Sequence, residues 1–97
     1  MSTDKTQLAR AMAKIEILSF YQNNPHTRDT AEGLAGRLFL DTASVVSALN
    51  ELEQVGIMAR IELSKTAIYR LKVSYATLDE YRLSAKEELP LDGRHSG

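Results

Sequence analysis

The sequence predicts one mainly helical domain that carries a small β-hairpin. Apolar residues recur at helical spacing in three stretches between residues 3 and 55, and a turn or helix-breaking residue closes each stretch. Residues 57–73 then alternate between apolar and polar side chains, as strands do. Ninety-seven residues with 43% hydrophobic content suit a single core of modest size.

The first helix is predicted over residues 3–22. Three alanines between residues 9 and 13 favour helix. Pro25 ends the stretch, because a proline disfavours helical backbone in the residue before it. The apolar face, at spacings of four, three and three, consists of Leu8, Met12, Ile15 and Leu18.

The second helix is predicted over residues 29–38. Asp29 can accept hydrogen bonds from the first helical turn, and Glu32 can reach back to complete an aspartate form of the capping box. Phe39 and Leu40 then form a turn. The buried side chains are predicted to be Ala31, Leu34, Ala35 and Leu38.

The third helix is predicted over residues 42–55, with Asp41 or Thr42 as its N-cap. Gly56 ends it, because glycine tolerates a positive φ after a helix. Its inward residues are predicted to be Val45, Leu49 and Leu52, and its outward ones Thr42, Ala43, Ser44, Ser47, Asn50, Glu51 and Gln54.

Two strands are predicted over residues 57–63 and 66–73, joined by a tight turn at Ser64 and Lys65. Strand alternation predicts that Arg60, Arg70 and Lys72 lie opposite the core face of the hairpin. The core face itself is predicted to carry Ala59, Ile61, Leu63, Ala67, Tyr69, Leu71 and Val73.

A fourth helix is predicted from Thr77, because Thr77 and Glu80 match the capping box, and Pro90 closes it. The domain organisation is therefore predicted to have three parts. These are a helix-and-hairpin domain over residues 1–73, a C-terminal helix over 74–90 as a candidate dimerisation element, and a disordered tail over 91–97.

The stretch over residues 16–72 resembles winged-helix regulators of the MarR and ArsR type. The resemblance implies a winged helix-turn-helix, with a three-helix core, a two-stranded wing and here an extra C-terminal helix. It also implies that the third helix enters the major groove of DNA. The matching residues are Ile17, Leu18, Ala31, Leu34, Ala35, Leu38, Ser44, Val45, Leu49, Leu52, Gly56, Ile57, Tyr69, Arg70 and Leu71.

The leading hypothesis is therefore a small DNA-binding transcriptional regulator whose partner is double-stranded DNA. Ser, Thr and Asn can contact bases or phosphates, and the hairpin cations can hold the phosphate backbone. The predicted DNA contacts are Thr42, Ser44, Ser47, Asn50, Arg60, Lys65, Arg70 and Lys72.

The alternative hypothesis is a winged-helix module that binds a protein and not DNA. The formal net charge is −1, and residues 26–72 carry six basic and six acidic side chains. The third helix has no Lys or Arg and carries Glu51 and Glu53, which could meet a basic partner.

A homodimer is predicted as well, because flanking helices often form the two-fold interface in regulators of the resembled type and two-fold dimers are common. The alternative is that the last helix folds back on its own domain. The predicted interface consists of Leu8, Met12, Tyr75, Leu78, Tyr81 and Leu89.

Other classes of function find little support in the sequence. The chain has no Cys, and its two histidines, His26 and His95, are far apart, so no metal site or cofactor is predicted. No nucleophile elbow or phosphate-binding glycine loop is visible, so no enzymatic activity is predicted. No apolar run is long enough for a membrane span or a secretory signal, which predicts a cytoplasmic protein.

Overall fold

The computed structural model describes residues 5–73 and 75–87. The predicted tail and Leu89 lie outside the described residues, as does the side chain of Tyr75. All four predicted helices and both strands of the hairpin are present. The elements are α1 (Lys5–Asn23), β1 (Arg28–Asp29), α2 (Ala31–Leu38), α3 (Thr42–Gln54), β2 (Met58–Glu62), β3 (Ala67–Leu71) and α4 (Tyr75–Lys86).

The three strands form one antiparallel sheet in the order β1-β3-β2. The predicted two-residue turn at Ser64 and Lys65 is confirmed, since the Leu63 N–H donates to the Thr66 carbonyl at 2.8 Å. Strand β1 was not predicted. Two residues are too few to show alternation, and only pairing with β3 makes them a strand.

The predicted orientation of β2 is wrong by one residue. Arg60 lies directly opposite Tyr69, and directly opposed residues share a face of the sheet. Met58 is only 1% exposed, whereas Leu63 is 46% exposed, so Met58 marks the core face. Apolar residues occupy both faces at the start of this strand, and packing then selects the larger side chain. Arg60 therefore lies on the core side of the hairpin, while Arg70 lies on the outward side.

The helix caps follow the local sequence with two shifts. The first is that α4 begins at Tyr75, so Thr77 lies inside the helix and is not the predicted N-cap. The Asp41 carboxylate accepts from the Ser44 N–H at 3.0 Å, which selects Asp41 as the cap of α3. Gly56 has the predicted positive φ, at 86°. Helix α2 is capped by Thr30 and not by Asp29, because β1 holds Asp29 in a strand paired with Tyr69.

The core forms where α1 contacts α3 and α4. Ile17, Leu18 and Tyr21 are fully buried on α1. The predicted apolar face of α1 is only partly right, because Met12 is 51% exposed and Lys14 is buried in its place. Helix α4 packs back on α1 and contributes the fully buried Leu78. No helix among the described residues is both long and apolar enough to cross a membrane.

The turn between α2 and α3 has an unusual residue. Phe39 adopts left-handed backbone, with φ 57° and ψ 45°, and its side chain is 94% exposed. A left-handed conformation is costly for a residue with a Cβ, and asparagine tolerates it better than phenylalanine. The exposed ring gains almost nothing from burial to offset that cost.

We expect Phe39→Asn to raise the free energy of unfolding by about 0.5–1 kcal/mol, because asparagine accepts the left-handed backbone more readily. Urea denaturation measures the change. Phe39→Ala is the matched control, since it removes the ring and keeps the Cβ, and it should leave stability nearly unchanged. An equal gain from both variants would show that the exposed ring, and not the backbone, is responsible.

Tyr21 ties α1 to the sheet, since its hydroxyl donates to the Tyr69 carbonyl at 2.9 Å. Burial is the main reason that the pKa of Tyr21 lies above its ordinary value of 10.0, and the nearby Asp29 carboxylate adds to the rise. Burial also raises the pKa of Tyr69. Both phenols therefore stay protonated in the native protein at pH values where the unfolded chain ionises.

The contribution of these two phenols to the free energy of unfolding should be complete below pH 10. It should fall as the pH rises above 10, by about 1.4 kcal/mol per pH unit for each proton that the native protein retains. We expect Tyr21→Phe to lose about 1 kcal/mol at pH 8, with a shallower decline above pH 10 because Tyr69 alone contributes. Urea denaturation from pH 8 to 11 checks this. Parallel declines in the two proteins would contradict it.

Candidate nucleic-acid interface

One exposed face over the first turns of α3 carries no charged side chain, and Glu53 follows at the C-terminal end of the same face. Thr42, Val46 and Asn50 follow one another at four-residue spacing and are all exposed, with Ala43 beside them. The amide and hydroxyl groups of this face can donate and accept hydrogen bonds. We call these four residues the neutral face of α3.

The predicted contact residues of α3 do not all share this face. Ser44 and Ser47 are partly buried and turn toward α1, where they border a cavity of about 330 Å³. The Ser44 hydroxyl also lies 3.3 Å from the capping carboxylate of Asp41. The α1 residues that line this cavity are Lys5, Thr6, Ala9 and Arg10.

Glu51 points away from the neutral face and binds two cations of α1. It pairs with Arg10, and its Oε2 lies 2.6 Å from the Lys14 Nζ. The Lys14 side chain has no exposed surface, and its Nζ lies 5.9 Å from the centre of the Tyr81 ring on α4. This cluster neutralises a carboxylate of α3 and fixes α3 against α1.

Glu53, the second carboxylate of α3, is also paired. Arg60 of β2 places its Nε 3.3 Å from Glu53, and it binds Glu62 on its own strand as well. The predicted phosphate contact Arg60 thus has two carboxylate partners already. Because β2 has the opposite orientation to the predicted one, Arg60 reaches α3 and does not point outward.

Several cations pair with no carboxylate in the described ranges 5–73 and 75–87. Lys65 lies at the tip of the hairpin, and Lys72 follows β3 with its backbone N–H bonded to the Ile57 carbonyl at 2.9 Å. Lys5 is exposed beside the α3 cavity and was not predicted as a contact. Arg70 shares the outward face of the sheet with Arg28.

The four predicted dimer residues whose side chains are described do not form one exposed patch. Leu78 is fully buried within its own chain, where a second chain cannot reach it, and Tyr81 packs against the same core. Leu8 is partly buried, and Met12 is the exposed member among those whose side chains are described. The homodimer stays a prediction.

The burial of Lys14 could have been predicted from the sequence but was not. It lies four residues before Leu18 and seven before Tyr21, which places it on the buried face of α1. A lysine on such a face needs a counter-charge, and the acids of α3 were the available partners. The same reasoning would have assigned Glu51 to the helix interface and not to the surface.

Comparison with known proteins supports the fold. A solved structure of the ferric uptake regulator from Francisella tularensis with iron aligns with 99% of this chain and 89% of its own, at a TM-score of 0.58 and 15% sequence identity. At that identity the likeness concerns the fold alone, which is winged-helix-like with a three-stranded antiparallel sheet. It does not distinguish the MarR or ArsR type.

No protein-family model and no curated protein sequence matches the chain. Iron is named only for the regulator from Francisella tularensis. Within residues 5–73 and 75–87 of this chain, His, Cys, Asp and Glu form no group of three or more that could hold a metal ion.

Removing the counter-charge of Lys14 should be costly. We expect Glu51→Gln to lower the free energy of unfolding by about 2–4 kcal/mol, because it removes a carboxylate that pairs with a fully buried ammonium group. Arg10→Gln should cost less than about 1 kcal/mol, since Arg10 is partly exposed and its loss leaves the buried pair intact.

The double variant Lys14→Met/Glu51→Gln is the matched control. Because it removes the buried charge together with its partner, it should recover most of the stability lost by Glu51→Gln. Urea denaturation measures the free energy of unfolding of the wild type, the two single variants and the double variant. A double variant no more stable than Glu51→Gln would contradict the assigned role of Lys14.

Proposed function

We propose that this chain is a DNA-binding transcriptional regulator that inserts α3 into the major groove of duplex DNA. One observation carries the proposal. Both carboxylates of α3 are ion-paired, Glu51 with α1 and Glu53 with Arg60, so neither adds an uncompensated negative charge to the helix surface. A neutral polar helix face can approach base edges without repulsion from the phosphates.

The neutral face supplies suitable chemistry for reading bases. The Asn50 amide can bond adenine through two hydrogen bonds, and Thr42 and Val46 can contact a thymine methyl group. Ser44 and Ser47 lie at the edge of this surface and suit phosphate or sugar contacts. This division modifies the sequence prediction, in which both serines faced bases.

Three lysines are the phosphate contacts in this proposal: Lys5 beside α3, Lys65 at the hairpin tip and Lys72 at its base. Each is exposed and pairs with no carboxylate among the described residues. Arg60 acts instead by holding Glu53 away from the DNA. The likeness to a structure named as a regulator supports regulation of transcription as the outcome.

In this proposal the protein is not an enzyme, and it acts in the cytoplasm as a homodimer. Met12 on α1 and Leu83 on α4 are exposed apolar side chains that a second copy could cover. A two-fold dimer would present two copies of α3 to successive major grooves.

The proposal is tested by fluorescence anisotropy with a random-sequence duplex over a range of salt concentrations. Three phosphate contacts predict a log–log slope of affinity against salt of about −3 for each chain. We expect Lys65→Gln/Lys72→Gln to reduce that slope to about −1. Absence of duplex binding at low salt would contradict the proposal.

A second variant tests the neutral face itself. Asn50→Asp adds a negative charge where the helix meets DNA, so we expect duplex affinity to fall at least about tenfold through repulsion. Asn23→Asp is the matched control, because it makes the same change at the exposed C-terminal end of α1 and should bind like the wild type. Equal loss in both variants would exclude a specific role for α3.

Protein binding is the second candidate function, and one observation favours it. Phe39 is 94% exposed and Val46 is 37% exposed, which places apolar surface at the start of α3. Aromatic side chains are common anchors at protein interfaces. A stoichiometric protein partner that Phe39→Ala releases, together with no duplex binding, would favour this function over DNA binding.

A further inference from the structure

Two arginines oppose each other on the outward face of the sheet. Arg28 of β1 and Arg70 of β3 are direct partners in the antiparallel ladder, so their side chains share one face. Like charges placed directly opposite each other are destabilising. The Arg70 Nη1 bonds the Leu71 carbonyl at 3.2 Å, and no carboxylate in the described ranges pairs with either guanidinium.

The carboxylate adjacent to Arg28 in the sequence, that of Asp29, is held on the other side of β1. Asp29 follows Arg28 in the strand, so its side chain points to the opposite face. Its Oδ1 accepts from the Thr30 N–H at 2.8 Å, and its Oδ2 accepts from the Arg37 Nε at 2.8 Å. On the β2 side, Arg70 lies opposite Ala59, which adds no charge. The two arginines are therefore left without a counter-charge from the sheet.

A cavity of about 170 Å³ lies beside this pair, which is roughly the volume of five to six water molecules in the liquid. The turn that closes it is fixed by a hydrogen bond of 3.1 Å from the Thr27 N–H to the Asn24 carbonyl. An imidazole and a hydroxyl on this turn add two further donors. The cavity is lined by Pro25, His26, Thr27, Arg28, Arg70 and Leu71.

We propose that this cavity binds the phosphate group of a small phosphorylated molecule. Guanidinium groups match phosphate geometry through paired N–H donors, and two of them facing one cavity can hold several phosphate oxygens at once. His26 and Thr27 can donate to the remaining oxygens. A bound phosphate would also remove the repulsion between the two arginines.

The shape of the cavity favours a small molecule over the DNA backbone. It is a small concave site, which suits one phosphate group better than a continuous backbone. Lys72, a proposed DNA contact, is only two residues from Arg70, so the experiment includes a duplex-binding arm. None of the three lysines proposed to contact DNA lines the cavity.

The test is a titration of the full chain with inorganic phosphate, at constant ionic strength against chloride. Amide chemical shifts of Thr27, Arg28 and Arg70 report binding, and the thermal unfolding midpoint reports stabilisation. We expect saturable shifts and a rise in the midpoint for the wild type. Arg28→Gln and Arg70→Gln should each weaken phosphate binding at least about tenfold.

Lys65→Gln is the matched control, because it removes the same charge at the other end of the hairpin and should bind phosphate like the wild type. Without phosphate, Arg28→Gln should unfold at no lower temperature than the wild type, since it removes like-charge repulsion. That measurement separates loss of the site from loss of the fold.

Two outcomes would overturn the proposal. Phosphate shifts that do not saturate, or that are weakened equally by all three variants, would indicate unspecific charge attraction. A flat phosphate titration combined with weaker duplex binding by Arg28→Gln would assign the arginines to the DNA backbone. Since the phosphate titration contains no DNA, failure of duplex binding leaves its result unaffected.

Discussion

The ion pairs of Glu51 with Arg10 and Lys14 are the constraint on which the rest of the arrangement depends. Lys14 is fully buried, and a buried ammonium group is tolerated only beside a counter-charge. Glu51 supplies that charge from α3 and so fixes how α3 lies on α1. Tyr81 of α4 covers the same lysine, at 5.9 Å from its Nζ, so the C-terminal helix belongs to this core. The orientation of the neutral face follows from these contacts.

Charge distribution matters more than net charge in this protein. The formal charge of −1 and the two glutamates of α3 both argue against binding to a polyanion. Ion pairing compensates both glutamates, because Glu51 and Glu53 meet cations from α1 and β2. The cations left without carboxylate partners in the described part of the chain include those on the hairpin, on β1 and at the start of α1. The net charge alone does not show which charged side chains are ion-paired and which are not.

The central strand β3 links the separate parts of the molecule. Its Tyr69 carbonyl accepts from the Tyr21 hydroxyl of α1, while the adjacent Arg70 faces outward beside Arg28. One face of β3 thus belongs to the core and the other to the candidate phosphate site. Strand β1, although only two residues long, creates that site and also moves the N-cap of α2 from Asp29 to Thr30. A short strand therefore has consequences on both faces of the sheet.

The sequence alone determined the features that local interactions encode. The helices, a cap of α3 at residue 41 or 42, the positive φ of Gly56 and the turn at residues 64–65 all depend on neighbours within a few positions. Only the tertiary structure decided the phase of β2, the pairing of β1, the burial of Lys14 and the packing of α4 on α1. These depend on partners distant in sequence, such as Glu51 for Lys14 and Arg70 for Arg28. Periodicity indicates that a segment has a buried side, but the volume and charge of the opposing element select which side it is.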